Sequence, residues 1–173
     1  MAALRNKGFT LLELLVVLVV IAILATMSFA GIRALHRMAQ RTSTAGRAQV
    51  LVNAIKAYKT DYPNYPGQVQ GASDRTYDDT TYKHAVFLTA LTNNPRRKVY
   101  SEVAENITTN SYLDYWGRPY VIAIDENGDG VVDINATFGS LSFTSNGIRE
   151  TVAVMSWGFF PSNSAERLCS WIR

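Results

Sequence analysis

The sequence predicts an α+β fold, a long N-terminal helix packed on a small antiparallel β-sheet. Three observations predict it. An apolar run from Phe9 to Ile32 continues without a breaker into an amphipathic repeat that reaches Tyr58. Pro63 and then Pro66-Gly67 stop that helix, because proline disfavours the helical conformation of the residue before it. Short β-branched runs bounded by turn residues, Val121–Ile124, Leu141–Thr144 and Val152–Trp157, then fill the C-terminal part of the chain.

The apolar run, taken as a helix, is long enough to cross about 30 Å of hydrocarbon. Its anomaly is Glu13, a carboxylate near the start. An unpaired charge within a bilayer costs about 2.5–3.5 kcal/mol even on the lenient insertion scale. A cut between Gly8 and Phe9 would create an amino group one helical turn before Glu13 on the same face, and so supply the missing partner. Two other readings compete. A secretory signal would explain Arg5, Lys7 and the small residues of Ser28-Phe29-Ala30, but its shorter apolar centre has no use for Glu13. An unprocessed single-span anchor is the other. The mature N-terminus separates them: Phe9 after the first cut, Gly31 after the second, Met1 with no cut.

The basic leader followed by Gly8-Phe9-Thr10-Leu11-Leu12-Glu13-Leu14-Leu15 resembles the prepilin signal of the type IV pilin and type II secretion pseudopilin superfamily. The resemblance implies that a prepilin peptidase removes residues 1–8 by cutting after Gly8, and that the new amine of Phe9 is methylated. It implies that Glu13 engages the terminal amine of a neighbouring subunit during assembly. Residues 9–32 would then be a transmembrane helix before assembly and filament core afterwards. Residues 33–173, with the second half of the long helix, would be a periplasmic globular domain of an inner-membrane protein. The implied partners are further copies of the chain, the peptidase, an inner-membrane assembly platform and other pseudopilins.

Net charge is +3, which gives no argument for a nucleic-acid partner. The basic residues are nevertheless uneven: Arg33, Arg37, Arg41 and Arg47 follow the apolar run, and no acid intervenes before Asp61. The positive-inside count would put this flank in the cytoplasm, opposite to what the resemblance implies. The four-residue spacing of Arg33, Arg37 and Arg41 supplies a separate reason for them, one face of a continuing helix. Cys169 stands alone and makes no internal bridge, a departure from the pilins that carry a C-terminal disulfide. His36 and His84 have no acidic or thiol neighbours at ligand spacing.

Ala48, Leu51, Val52, Ile55 and Tyr58 keep the rhythm of one buried helical face, while Arg47, Lys56 and Lys59 fall off it. Gly31 and Gly46 read either as two tolerated small residues or as soft points at which the helix can bend. The phrase from Arg47 to Asp61, followed by Tyr65-Pro66, is similar to the end of the long helix in the type II major pseudopilin. Residues 68–79, polar and aperiodic, read as a surface loop. Tyr82 to Leu91 reads as a second helix with Val86, Phe87, Ala90 and Leu91 on one side, stopped by Asn93-Asn94-Pro95. Arg96-Arg97-Lys98 reads as a solvated basic knot.

Trp116-Gly117-Arg118-Pro119-Tyr120 before the Val121 strand again resembles the major pseudopilins, and Ser145-Asn146-Gly147 reads as the turn separating two later strands. Between lies Asp125-Glu126-Asn127-Gly128-Asp129-Gly130-Val131-Val132-Asp133, with oxygen side chains at alternate positions and a glycine after the third. Calcium takes six to eight oxygens, and a D-x-N-x-D-G loop suits it: Asp125, Asn127 and Asp129, with the Val131 carbonyl and Asp133. The twelfth position, a glutamate in an EF-hand, is Ala136. The other reading is a turn in which Asn127, Gly128 and Gly130 supply permissive backbone. Major pseudopilins are similar in using calcium to hold this region, although their ligand pattern is not reproduced here residue by residue. The aromatics Phe159, Phe160 and Trp171 of the aperiodic tail are expected against the sheet.

No nucleophile with a paired base, phosphate loop or open metal cage is legible, so no enzyme is expected. The expected function is a filament subunit, most like the major pseudopilin of type II secretion. The alternatives are a type IV pilus subunit for adhesion, motility or DNA uptake, and a membrane-tethered calcium-binding periplasmic module.

Overall fold

The computed structural model describes residues 9–67, 73–78, 84–100, 107–108 and 111–171, without the side chains of 27–31, 86, 107 and 108. The leader with Gly8, most of the polar loop and Tyr82 lie outside them. The chain divides into two compact units, Met1–Ala39 and Gln40–Arg173. Helix α1, Leu11–Asp61, is one continuous helix of 51 residues.

In the first unit α1 is apolar all round from Leu14 to Leu24, and the large side chains from Phe9 to Leu24 are 48% to 88% exposed. Among the described residues no helix is long and apolar enough to cross a membrane. The described side chains of this run stop at Thr26, and the sequence continues beyond them as Met27-Ser28-Phe29-Ala30-Gly31.

In the second unit α1 buries Thr44, Ala48, Leu51, Val52 and Ile55 and exposes Asn53 and Lys56. Each large side chain so buried contributes about 1.5–3 kcal/mol. The helix ends at Asp61, with the Tyr62 N–H still donating to the Tyr58 carbonyl at 2.9 Å before Pro63. Helix α2, His84–Thr92, buries Phe87, Leu88 and Leu91 in the same core. Leu88 is buried where Ala90 was expected, and Ala90 is half-buried.

The main sheet has four antiparallel strands in the order β1-β4-β7-β8: β1 is Arg75–Tyr77, β4 Val121–Ile124, β7 Val152–Ser156 and β8 Leu168–Cys169. Two-stranded ladders complete the unit, β2 (Ile107–Thr108) with β3 (Ser111–Tyr112), and β5 (Val132–Phe138) with β6 (Leu141–Ile148). Ile122, Ile124, Val152 and Val154 pack on α1 and α2, whereas Val121, Ala123, Ala153 and Met155 pack on Val132, Ile134 and Ala136 of β5. A sheet covered on both faces accounts for the unbroken apolar runs of β4 and β7.

Three expectations are corrected here. Strand β1 lies inside the polar stretch read as loop; it is a strand because Arg75, Thr76 and Tyr77 pair with Ile124, Ala123 and Ile122. Ser145-Asn146-Gly147 is no turn but part of β6, where the register shifts between Val132 and Ile134 and Gly147 takes a φ of 74°. The hairpin turns instead at Gly139-Ser140, between Phe138 and Leu141. The tail aromatics divide: Trp171 packs against the second core, while Phe159 and Phe160 are exposed.

The basic knot is not merely solvated. Lys98 Nζ donates to Asp61 Oδ2 at 2.6 Å, the Tyr100 hydroxyl donates to the same oxygen at 2.7 Å, and Arg96 approaches Oδ1 at 3.8 Å. The knot therefore holds the end of α1.

The Trp-Gly-Arg-Pro-Tyr segment is a turn built around Asp114. Its buried carboxylate accepts the N–H groups of Trp116 and Arg118, each at 2.9 Å, and the Ser156 hydroxyl at 2.7 Å. Gly117 stands at φ 74°, a conformation open to glycine. Tyr120 then donates to the Thr44 carbonyl of α1 at 2.8 Å, fastening sheet to helix.

Candidate functional site

Two regions carry the residues singled out from the sequence, the start of α1 and the acidic loop after β4. At the start of α1, Thr10 is the residue before the first helical turn. Its backbone N–H donates to Glu13 Oε2 at 2.9 Å and its hydroxyl to the same oxygen at 3.0 Å, while the Glu13 N–H donates back to Thr10 Oγ1 at 3.2 Å. This is a capping box, in which two otherwise unsatisfied amide N–H groups are answered reciprocally. Glu13 therefore has a partner of its own without any cleavage. Thr10 was missed in the sequence, although Thr-x-x-Glu before an apolar run is the signal for it. Phe9 is 76% exposed.

The acidic loop begins at Asp125, buried at the end of β4. Asp125 Oδ1 accepts the Gly128 N–H at 2.6 Å and Oδ2 the Gly130 N–H at 2.9 Å. Asn127 Oδ1 accepts the Asp129 N–H at 2.9 Å, and Asp129 Oδ1 the Val131 N–H at 2.8 Å. Asp133 sits at the bulge, where its Oδ1 accepts the Gly147 N–H at 2.9 Å. Gly128 and Gly130, at φ 79° and 80°, let the backbone curl so tightly.

One more carboxylate joins the cluster from a distant part of the chain. Asp74, just before β1, accepts the Asp133 N–H through Oδ2 at 2.8 Å, and its other oxygen is buried without a hydrogen-bond partner. Burial first, and then the charges of Asp125, Asp129 and Asp133, push its carboxyl above the usual range. No sequence signal tied Asp74 to the loop, because only the pairing of β1 with β4 brings it there. Glu126, whose side chain is fully buried, turns away from the loop's turns to pair with Arg75 at 3.6 Å.

Residues 4–29 match the family pattern of the prokaryotic N-terminal methylation motif. The chain carries the signature of the type IV pilins and pseudopilins. No curated protein and no solved structure matches it. The α+β architecture, with its long N-terminal helix and small antiparallel sheet, is consistent with a pilin-like fold.

The matched segment contains Gly8, Phe9 and Glu13, of which Phe9 and Glu13 are described. Asp125, Asn127, Asp129 and Asp133 fall in one loop, as expected from their spacing. Among the described residues, however, no group of three or more Asp, Glu, His or Cys side chains is disposed to hold a metal ion. The side-chain oxygens of Asp125, Asn127 and Asp129 are turned onto the loop's own amides instead, and Asp133 onto the Gly147 amide of β6. Cys169 is half-buried beside the second core, and burial pushes its thiol up to about 11, so the thiolate needed for exchange is scarce. His84 is fully buried, its Nε2 3.2 Å from the Tyr77 carbonyl, a packed histidine.

Proposed function

We propose that this chain is a filament subunit of the pseudopilin type. A prepilin peptidase cuts after Gly8, the amine of Phe9 is methylated, and the apolar half of α1 anchors the subunit in the inner membrane until it is drawn into a fibre. One observation carries the reading: a methylation motif that opens a helix whose apolar side chains are exposed all round. A surface of that kind is stable only when covered, and bilayer and neighbouring subunits are the two covers that the processing chemistry makes available. Glu13 would choose the axial step by pairing with the amine of the next subunit. The globular unit faces the periplasm.

Among filament systems, type II secretion is the preferred setting, from the Trp-Gly-Arg-Pro-Tyr turn and the lack of a disulfide partner for Cys169. A type IV pilus subunit is the second reading. Deleting the gene should trap exoproteins in the periplasm under the first reading, and abolish twitching, adhesion or DNA uptake under the second. The processing step is tested by sequencing the mature protein: methylated Phe9 at the N-terminus supports it, and a chain that keeps Met1 rejects it.

Calcium belongs to the same proposal. Asp125, Asn127, Asp129, the Val131 carbonyl and Asp133 would supply hard oxygen ligands, joined by Asp74, and a divalent cation would relieve the repulsion among these carboxylates. The loop side chains would have to swing from their own amides onto the ion. A melting midpoint that chelator leaves unmoved would reject it; saturating ion at about 100 times its dissociation constant stabilises a fold by about 2.7 kcal/mol.

A further inference from the structure

Between Glu13 and Asp61 the chain has no acid, and the globular unit engages three of the six Lys and Arg residues in that interval in ion pairs or hydrogen bonds. Arg41 pairs with Glu166 and donates to the Ala165 carbonyl, Lys56 pairs with Glu150, and Lys59 donates to the Pro63 carbonyl and lies over the Tyr65 ring. Arg33 and Arg37 are different. They are exposed, four residues apart and hence on one helical face, and neither has an ion-pair partner among the described residues.

Their distance along the helix is the second observation. Arg33 lies 24 residues after Phe9 on one continuous helix, about 36 Å at the α-helical rise. A bilayer has a hydrocarbon core of about 30 Å and is about 40–45 Å thick with its headgroups. A helix that starts in one headgroup layer therefore delivers Arg33, and one turn later Arg37, to the opposite one. The planar fork of a guanidinium matches the two non-bridging oxygens of a phosphodiester.

We propose that Arg33 and Arg37 form a clamp for anionic phospholipid headgroups on the periplasmic leaflet, fixing the depth of the anchored subunit before assembly. This rests on the membrane-anchor reading above. It also removes the conflict with the positive-inside count, because the two arginines then serve a lipid contact and not topology.

The test uses the full-length protein in vesicles of phosphatidylcholine mixed with phosphatidylglycerol. Flotation first asks whether the chain is membrane-bound; a protein that stays unbound overturns the anchor reading and the clamp with it. For floated protein, spin-labelled phosphatidylglycerol and phosphatidylcholine are compared for association. A preference for the anionic lipid is expected, with about fivefold from each arginine, equivalent to about 1 kcal/mol. It should fall towards unity in the Arg33→Gln/Arg37→Gln variant, and the corresponding lysine variant should keep part of it. No preference in the wild type, or an undiminished one in the double glutamine variant, overturns the clamp alone. A glutamine variant that keeps the lipid preference but no longer self-associates assigns these arginines to a neighbouring subunit, and equally overturns it.

Discussion

Asp78 accepts the backbone N–H of Thr137 through Oδ2 at 3.0 Å, and the hydroxyl of the same threonine donates to that oxygen at 3.2 Å. Two residues back along each strand, the Asn135 N–H donates to Thr76 Oγ1 at 3.2 Å, and two further back the Asp133 N–H donates to Asp74 Oδ2. Side chains at alternate positions around β1 thus satisfy alternate amides on the edge of β5. An open strand edge is a template for unwanted pairing, and these side chains cover it. Asp78→Ala should cost about 1–3 kcal/mol, the penalty of leaving a donor unmet, and Thr76→Val about 0.5–1.5 kcal/mol. Urea midpoints of the detergent-solubilised protein measure both; equal and negligible shifts would mean that water replaces the ladder without loss.

Glu13 has two candidate duties, closing the capping box with Thr10 and carrying a charge for assembly. Glu13→Gln separates them, since glutamine serves a capping box as well as glutamate does but brings no charge. Fibre yield by electron microscopy should collapse in Glu13→Gln. Thr10→Val, which removes the cap and keeps the charge, should weaken the helix start by about 1 kcal/mol and leave fibres visible. The opposite ranking would assign Glu13 to capping alone.

Asp74 should make stability depend on pH in an unusual direction. Its carboxyl is raised in the folded chain, so between the ordinary aspartate value of 3.8 and the raised one the native state binds the proton more tightly than the unfolded state. Its contribution therefore worsens as pH rises through that window. Asp74→Asn should raise the melting midpoint at neutral pH in the presence of chelator, by on the order of 2 °C. If calcium binds, the same substitution should shrink the chelator effect seen in the wild type. A chelator shift that is identical in both would exclude Asp74 from the site.

Asp61 should act in the opposite sense. Hydrogen bonds from Lys98 and then Tyr100 hold its carboxyl below the usual range. The stability it contributes is present above the unfolded aspartate value and is lost as pH falls through the lower folded one. In an acid titration of stability, Lys98→Met should flatten this part of the profile while leaving the Asp74 part in place.

Two glycines predict opposite signs for the same substitution. A Cβ at Gly158, where φ is 73°, would collide with the carbonyl oxygen of Glu166, and that oxygen is backbone that cannot step aside. Gly158→Ala should cost at least about 2 kcal/mol. Gly46 lies in α1 with open space around it, so Gly46→Ala should stabilise by about 0.4–1 kcal/mol. Thermal unfolding of the two variants side by side checks the pair.

The long helix, its buried stripe from Ala48 to Ile55, its stop before Pro63 and the strands at Val121 and Val152 were all legible, because each is written in local periodicity and punctuation. So was the methylation motif, which is a property of consecutive residues. Strand β5 also has its signal, Val132, Ile134, Ala136 and Phe138 alternating with polar residues, although the oxygen-rich loop overlaps its start.

What folding alone decided is contact between residues far apart in the chain. Arg75, Thr76 and Tyr77 become a strand only because β4 offers them a partner, and Asp74 reaches the acidic loop only as a consequence of that pairing. Arg96 and Lys98 look like surface charge until Asp61 is brought beside them. Local sequence sets which backbone conformation each segment prefers. Which unsatisfied donor meets which acceptor across 59 residues depends on the packed sheet, and no window of consecutive residues contains that information.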